Sequence, residues 1–179
     1  MLQPIPVILA AYNPEWPGTA ATFAQRLRVL DPNLVAVHHI GSTAVPGLVA
    51  KPIIDLMPVV TELTKLDDQR QSVEALGYRW HGEFGIPGRR YCTLANEVGL
   101  RIAQLHFFKT DSPHVERHIA FRDFLRAHPE EANAYAIEKR RAQNLRPTNS
   151  HAYADEKHKW IRAAETKALI WASKQKTAH

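Results

Sequence analysis

HHIGSTAVPGLVAKPIIDLM, residues 38–57, decides how the rest of the chain is read. An apolar, partly β-branched run, LVAVHHI at 34–40, ends in the small residues Gly41, Ser42 and Thr43. A loop punctuated by Pro46 and Gly47 then leads to a second apolar run, PIIDLMPVV at 52–60, which carries one acid, Asp55. Small residues let a backbone approach a ligand closely, and a Ser-Thr pair supplies hydroxyl donors for a phosphate or carboxylate. An ionised carboxylate among Ile53, Ile54, Leu56 and Val59 is costly unless it is paired, hydrogen-bonded or metal-bound. The layout is that of a phosphate cradle beside a metal-binding carboxylate, with Lys51 either part of the cradle or only an ion-pair partner for Asp55. Two positions on, where a second carboxylate would complete such a site, stands Met57.

Outward from this stretch the chain reads as α+β: a mixed sheet flanked by helices, then a C-terminal helical cap. VILAAY (7–12) is expected to be a short strand, and Pro14 and Pro17 frame the start of a helix over about 18–30. Pro58 cannot donate to a ladder, so the 52–60 strand is edge-like or ends there. Residues 65–77 read as a helix stopped by Gly77. RRYCTLA and LRIAQLHFF flank the turn residues 96–99 and predict an antiparallel hairpin. From residue 113 the period is helical. HVERHIAFRDFLRAH is one helix, Pro129 opens the next with Glu130 and Glu131 at its positive end, and a third spans about 153–175. Trp160, Ala164, Ala168 and Trp171 share one stripe of that third helix. A single domain over 1–179 is expected, with 1–112 as the sheet core and 113–179 as the cap.

Hydrophobic residues are 45% and charged residues 23% of the chain, values that fit a globular protein. No apolar run approaches the ~20 residues of a membrane span, and the opening residues lack the basic start of a signal peptide. The lone cysteine, Cys92, excludes an internal disulfide and a cysteine zinc cluster, so a reducing, cytoplasmic setting is expected. The net charge of +5 lies wholly in the C-terminal third, where residues 113–179 hold thirteen Lys/Arg against eight Asp/Glu. Such a surface attracts polyanions or serves only as a solvated helical face.

Further candidates lie on either side of the central stretch. Gln104 and His106 alternate onto one face of their strand, with His106 read as a proton-transfer group or a packed core histidine. His39 is expected to be packed and hydrogen-bonded. In the helical third, Arg122 and Lys139 are candidate clamps for phosphate or carboxylate, and Arg122 with Asp123 is alternatively a device for docking helix onto sheet. Tyr153 and Lys157, an i,i+4 pair, open the last helix.

HIGSTAVPGLVAKPIIDL, LHFF, FRDFLRAHPEEANAYAIEKRRA and YADEKHKWI resemble the GrpB family, over about residues 8–172. The resemblance implies a nucleotidyltransferase-like fold, and some members are fused to dephospho-CoA kinase. In polymerase-β-like nucleotidyltransferases a Gly-Ser motif holds triphosphate and an acid-x-acid pair binds divalent metal. Asp55 and Met57 share a strand face, and a thioether is a poor ligand for Mg²⁺. Two-metal transfer is therefore doubtful, and a single Mg²⁺ on Asp55 is the most the pattern offers. The implied activity is a transferase acting on a nucleotide or other phosphorylated substrate. The alternatives are aminoacyl-tRNA-dependent peptide bond formation, with Asp55 gripping an amino or guanidinium group, and a non-catalytic ligand-binding module. The expected pocket has Gly41, Ser42, Thr43, Lys51 and Asp55 as its floor, with Arg122, Lys139 and Lys157 reaching in from the cap.

Overall fold

The structure is a computed structural model that describes residues 3–177. Its centre is a five-stranded mixed sheet in the order β1-β2-β5-β4-β3. The strands are β1 (Leu34–Ile40), β2 (Ile54–Val60), β3 (Arg79–Trp80), β4 (Arg90–Ala95) and β5 (Arg101–Lys109). β2 is antiparallel to β1 and parallel to β5, and β4 is antiparallel to both β5 and β3. β4 and β5 form the expected hairpin, and Asn96 closes its turn by accepting from the Leu100 backbone N–H at 2.8 Å.

Alternation along each strand sorts the side chains onto two faces. Leu56, Leu105, Phe107 and Cys92 pack with Leu27, Leu30, Leu66 and Val73 on the first face. That face is covered by α1 (Trp16–Arg26), α2 (Leu63–Asp68) and α3 (Arg70–Ala75). The second face carries Ile40, Met57, Val59 and Phe108, packed against Val115 and Ile119. These two belong to α4 (Pro113–Ala127), which with α5 (Pro129–Leu145) and α6 (Ser150–Thr177) makes the helical cap. The expected stripe of α6 packs as read: Ala168 is buried among Val45, Phe124 and Tyr135, with Trp160 and Trp171 against the same cluster.

Four local expectations are corrected. Residues 7–12 do not form a strand. The segment makes one isolated bridge, Ala10 with Ala50, while Val7 donates to the Pro147 carbonyl and packs on Ala142 and Tyr153. Its backbone is held by the cap at Val7 and by the loop before β2 at Ala10, with no continuous ladder. The first helix begins at Trp16, with Pro17 inside its first turn, and tightens after Arg26 into a 3₁₀ turn at Leu27–Leu30. The 65–77 stretch divides into α2 and α3 at Gln69, whose side chain donates to the Leu30 carbonyl and accepts from Asn33. Pro58 neither ends β2 nor sits at an edge. It opposes Val37 of β1, and the β5 pairing is made on either side of it, at Leu56 with Leu105 and at Val59 with Phe108.

Met57 is fully buried in the second-face cluster, so this position two residues on from Asp55 is filled by core packing. Met57→Asp should therefore lower stability by about 3 kcal/mol or more, the cost of burying an unpaired polar or charged group. Urea unfolding with and without Mg²⁺ checks this; a midpoint restored by Mg²⁺ would show instead that the substitution builds a metal site.

Candidate functional site

β1 runs out at Ile40, which pairs directly with Asp55 of β2. The chain must turn immediately, across the acid. Gly41 makes this turn with φ +71°, and a Cβ there would lie 2.5 Å from Asp55 Oδ2. Only glycine meets both demands, the left-handed backbone and the close approach. Ser42–Ala44 then form a single 3₁₀ turn. Asp55 thus lies under the turn, with its side chain about one-fifth exposed.

Two neighbours orient the Asp55 carboxylate. The Gln104 amide donates to Oδ1, and His106 Nε2 lies 3.3 Å from the same oxygen. The other His106 nitrogen, Nδ1, is 3.5 Å from the Arg89 guanidinium. A guanidinium only donates, so Nδ1 offers its lone pair and the ring proton sits on Nε2, facing Asp55. Both nitrogens are thereby engaged within the protein, and His106 positions Asp55. Burial pushes the Asp55 pKa up. The hydrogen bonds from His106 and the Gln104 amide, with the nearby Lys51 ammonium, outweigh it and hold the carboxyl below its usual value.

In front of Asp55 opens a cavity of about 200 Å³. Gly41, Ser42, Thr43, Lys51, Asp55, Lys139, Tyr153 and Lys157, all expected at the site, line it together with Gln104 and Tyr135. Three lysines thus surround one carboxylate. Among the described residues no lysine nitrogen comes within 4.0 Å of an Asp55 oxygen, so Lys51 faces the acid without closing an ion pair. The lysines rest instead on rings and carbonyls. Lys157 Nζ is 4.1 Å from the Tyr153 ring centroid, and Lys139 Nζ is 4.8 Å from that of Tyr135 and donates to the Val49 carbonyl at 2.7 Å. Burial lowers the pKa of all three: that of Lys139 falls well below the ordinary lysine value, with repulsion from Lys157 and Lys51 adding to it, and that of Lys157 falls to about 8, with repulsion from Lys51 adding to it.

Arg122 does not reach the cavity, which corrects its role as a clamp. It chelates Asp123 and donates to the His39 carbonyl at 3.1 Å, while Arg126 donates to the Ala44 carbonyl at 2.8 Å. The two arginines, four residues apart on α4, dock that helix onto the chain entering and leaving the turn. The Thr43 hydroxyl is taken by His39 at 2.9 Å. The basic run at 138–146 does not act as a unit: Arg141 pairs with Glu138 and Arg146 with Glu156, while Lys139 turns inward. Glu83, the acid before the hairpin, bonds the Gly88 N–H in its own loop. Tyr135 escaped the sequence reading, although its i,i+4 spacing to Lys139 was a usable signal.

The donors do not fit a two-metal centre. Met57 is core, and among the described residues no group of three His, Cys, Asp or Glu side chains is placed to hold an ion. No described helix is long and apolar enough to cross a membrane.

Fold and site define an α+β protein with a lysine-lined cavity between a mixed sheet and a helical cap. The sequence profile described as "GrpB protein" matches residues 6–167, and the chain belongs to the GrpB family. The conserved protein GrpB from Enterococcus faecalis, known from a crystal structure, is 36% identical and superposes with a TM-score of 0.86 over 92% of this chain and 99% of that one. The UPF0157 protein YqkA of Bacillus subtilis is 36% identical over 174 residues, 97% of this chain, and the chain spans 50% of YqkA. A dephospho-CoA kinase of Mycolicibacterium paratuberculosis is 27% identical over 191 residues, with 93% of this chain matched to 47% of the kinase.

The depressed Lys157 pKa has a testable consequence. Between about pH 8 and its ordinary 10.5 the unfolded chain binds more protons there than the folded one, so stability rises with pH in that window. The buried Cys92 thiol, which burial also pushes up, acts in the opposite sense from about pH 9, and the buried Tyr78 and Tyr91, pushed up to about 12, do so above pH 10. From pH 8 to 10 the unfolding free energy of the wild-type chain should therefore gain on the order of 2 kcal/mol relative to that of Lys157→Met. Lys157→Met should be more stable at pH 7 and climb less. An equal slope in the variant would contradict the assignment.

Proposed function

We propose that the cavity binds the phosphate groups of a nucleotide or other phosphorylated substrate for group transfer, with lysine side chains supplying the positive charge. The observation that carries this reading is the imbalance of three lysines to one carboxylate in one cavity. Like charges so placed repel, and an anionic guest turns that repulsion into attraction. The Gly41–Thr43 turn adds close-approach backbone, and the Ser42 hydroxyl lines the same space.

Asp55 has a complementary task. Oδ1 is held by Gln104 and His106, which leaves Oδ2 to accept a proton or hydrogen bond from an attacking hydroxyl or amine of the substrate. Lys157, with its pKa near 8, is suited to return a proton to a leaving group at neutral pH. Aminoacyl-tRNA-dependent chemistry, with Asp55 gripping an amino group, is less well supported, because an ammonium guest would add a further cation to the cavity. Turnover of a bound phosphorylated compound separates a transferase from a ligand-binding module.

Titration calorimetry with pyrophosphate, tripolyphosphate and ATP, in EDTA and again with Mg²⁺, tests the reading. Binding in EDTA is expected, weakened at least about tenfold by Lys157→Met, as the loss of one charge-assisted hydrogen bond requires. Binding that appears only with Mg²⁺ and vanishes in Asp55→Asn would favour a single metal ion on Asp55 instead. No binding in either buffer would remove the reading.

A further inference from the structure

Beyond Gln104 the site face of the sheet continues onto β4, and there it carries rings instead of charges. Tyr91 opposes His106, and its hydroxyl donates to the Gln104 side chain that lines the cavity. Phe84 stacks on Tyr91, with centroids 5.2 Å apart and planes 19° apart. His81 lies beside both, 5.6 Å from Tyr91 and 5.9 Å from Phe84, and is held by Thr93 at 2.8 Å. Phe84 is 38% exposed, a large apolar ring left facing solvent.

The loop is built to hold that ring in place. Phe84 has φ +44°, the one positive φ at a non-glycine among the described residues, and Gly82, Gly85 and Gly88 around it are also left-handed. A bulky side chain in that region is strained, and such strain persists only where surrounding contacts enforce it. Arg89 provides the contacts. It is buried, and its guanidinium donates to the Phe84 carbonyl at 2.6 Å and the Glu83 carbonyl at 3.2 Å while lying 4.9 Å from the Tyr91 ring centroid.

The shelf and the cavity adjoin. Asp55, Gln104 and Thr93 stand side by side on β2, β5 and β4, so two strand spacings, about 10 Å, separate the acid from Thr93, which holds His81 at the near end of the shelf.

We propose that Phe84, backed by Tyr91 and flanked by His81, is the subsite for a planar heteroaromatic ring of the same ligand whose phosphates occupy the lysine cavity. The ligand class is then nucleotide-like, rather than a bare oligophosphate or a sugar phosphate. This assignment rests on the phosphate reading of the cavity and adds a ring to it. Every nucleobase has a π-face, so the subsite tolerates different bases.

Affinities of tripolyphosphate, ATP and UTP for the wild-type chain, Phe84→Ala, Phe84→Leu and Phe84→Tyr test the assignment. The nucleotides are expected to bind at least about fivefold tighter than tripolyphosphate, the lower end for one stacked base. Phe84→Ala should bring them down to the tripolyphosphate level, leave tripolyphosphate itself unchanged, and be rescued by Phe84→Tyr. Phe84→Leu keeps apolar bulk without a flat ring, so it gives the same readout if the alanine variant does not fold. Tripolyphosphate binding as tightly as ATP and UTP, or nucleotide affinity indifferent to Phe84, would overturn the ring subsite and leave the phosphate cavity standing. If neither class of ligand binds, the cavity reading falls and the subsite falls with it.

Discussion

Inside the cavity one carboxylate faces three lysines, and much of the surrounding architecture holds that imbalance in place. Asp55 is fixed from below by Gln104 and His106, and from above by a glycine turn that passes where a Cβ would collide with it. The lysines are contributed by three segments: Lys51 from the loop before β2, Lys139 from α5 and Lys157 from α6. Bringing them together costs desolvation and mutual repulsion, offset by contacts with the Tyr135 and Tyr153 rings and by the bond from Lys139 to Val49. A fold that needed only stability would do better with apolar residues at these positions.

The cap also holds the turn. Arg122 and Arg126 reach down from α4 to the carbonyls of His39 and Ala44, and Lys139 reaches from α5 to that of Val49. Each end of the loop between β1 and β2 is thereby tied to a helix. The arginine-rich block of α4 and the glycine-serine block thus form one mechanical unit, although 83 residues separate His39 from Arg122.

Much of this was legible in the sequence. β-branched runs marked β1 and β2, turn residues marked the hairpin, and strand parity placed Asp55 and Met57 on a common face, where Met57 proves to be core. The residues that gather at the cavity were readable because charge on apolar segments is costly and calls for an explanation. Other features were not legible because they depend on tertiary partners. Arg122 looked like a clamp because spacing cannot tell a ligand from a backbone carbonyl as its acceptor. Residues 7–12 have strand-like composition, but Val7 bonds the cap and Ala10 the loop before β2, so no ladder forms. Pro58 reads as an edge signal, yet β2 pairs with β5 on either side of it. The ring shelf depends on a left-handed Phe84 strapped by Arg89, and no periodicity announces such a residue.

Two residues on from Asp55 this chain packs a thioether into the core, and three lysines line the cavity in front of the acid. The most direct measurement is a crystal structure grown with pyrophosphate in EDTA. The account predicts a phosphate group between Lys51, Lys139 and Lys157, against the turn at residues 41–43. Density for a cation on Asp55, or pyrophosphate absent from the cavity at saturating concentration, would contradict it.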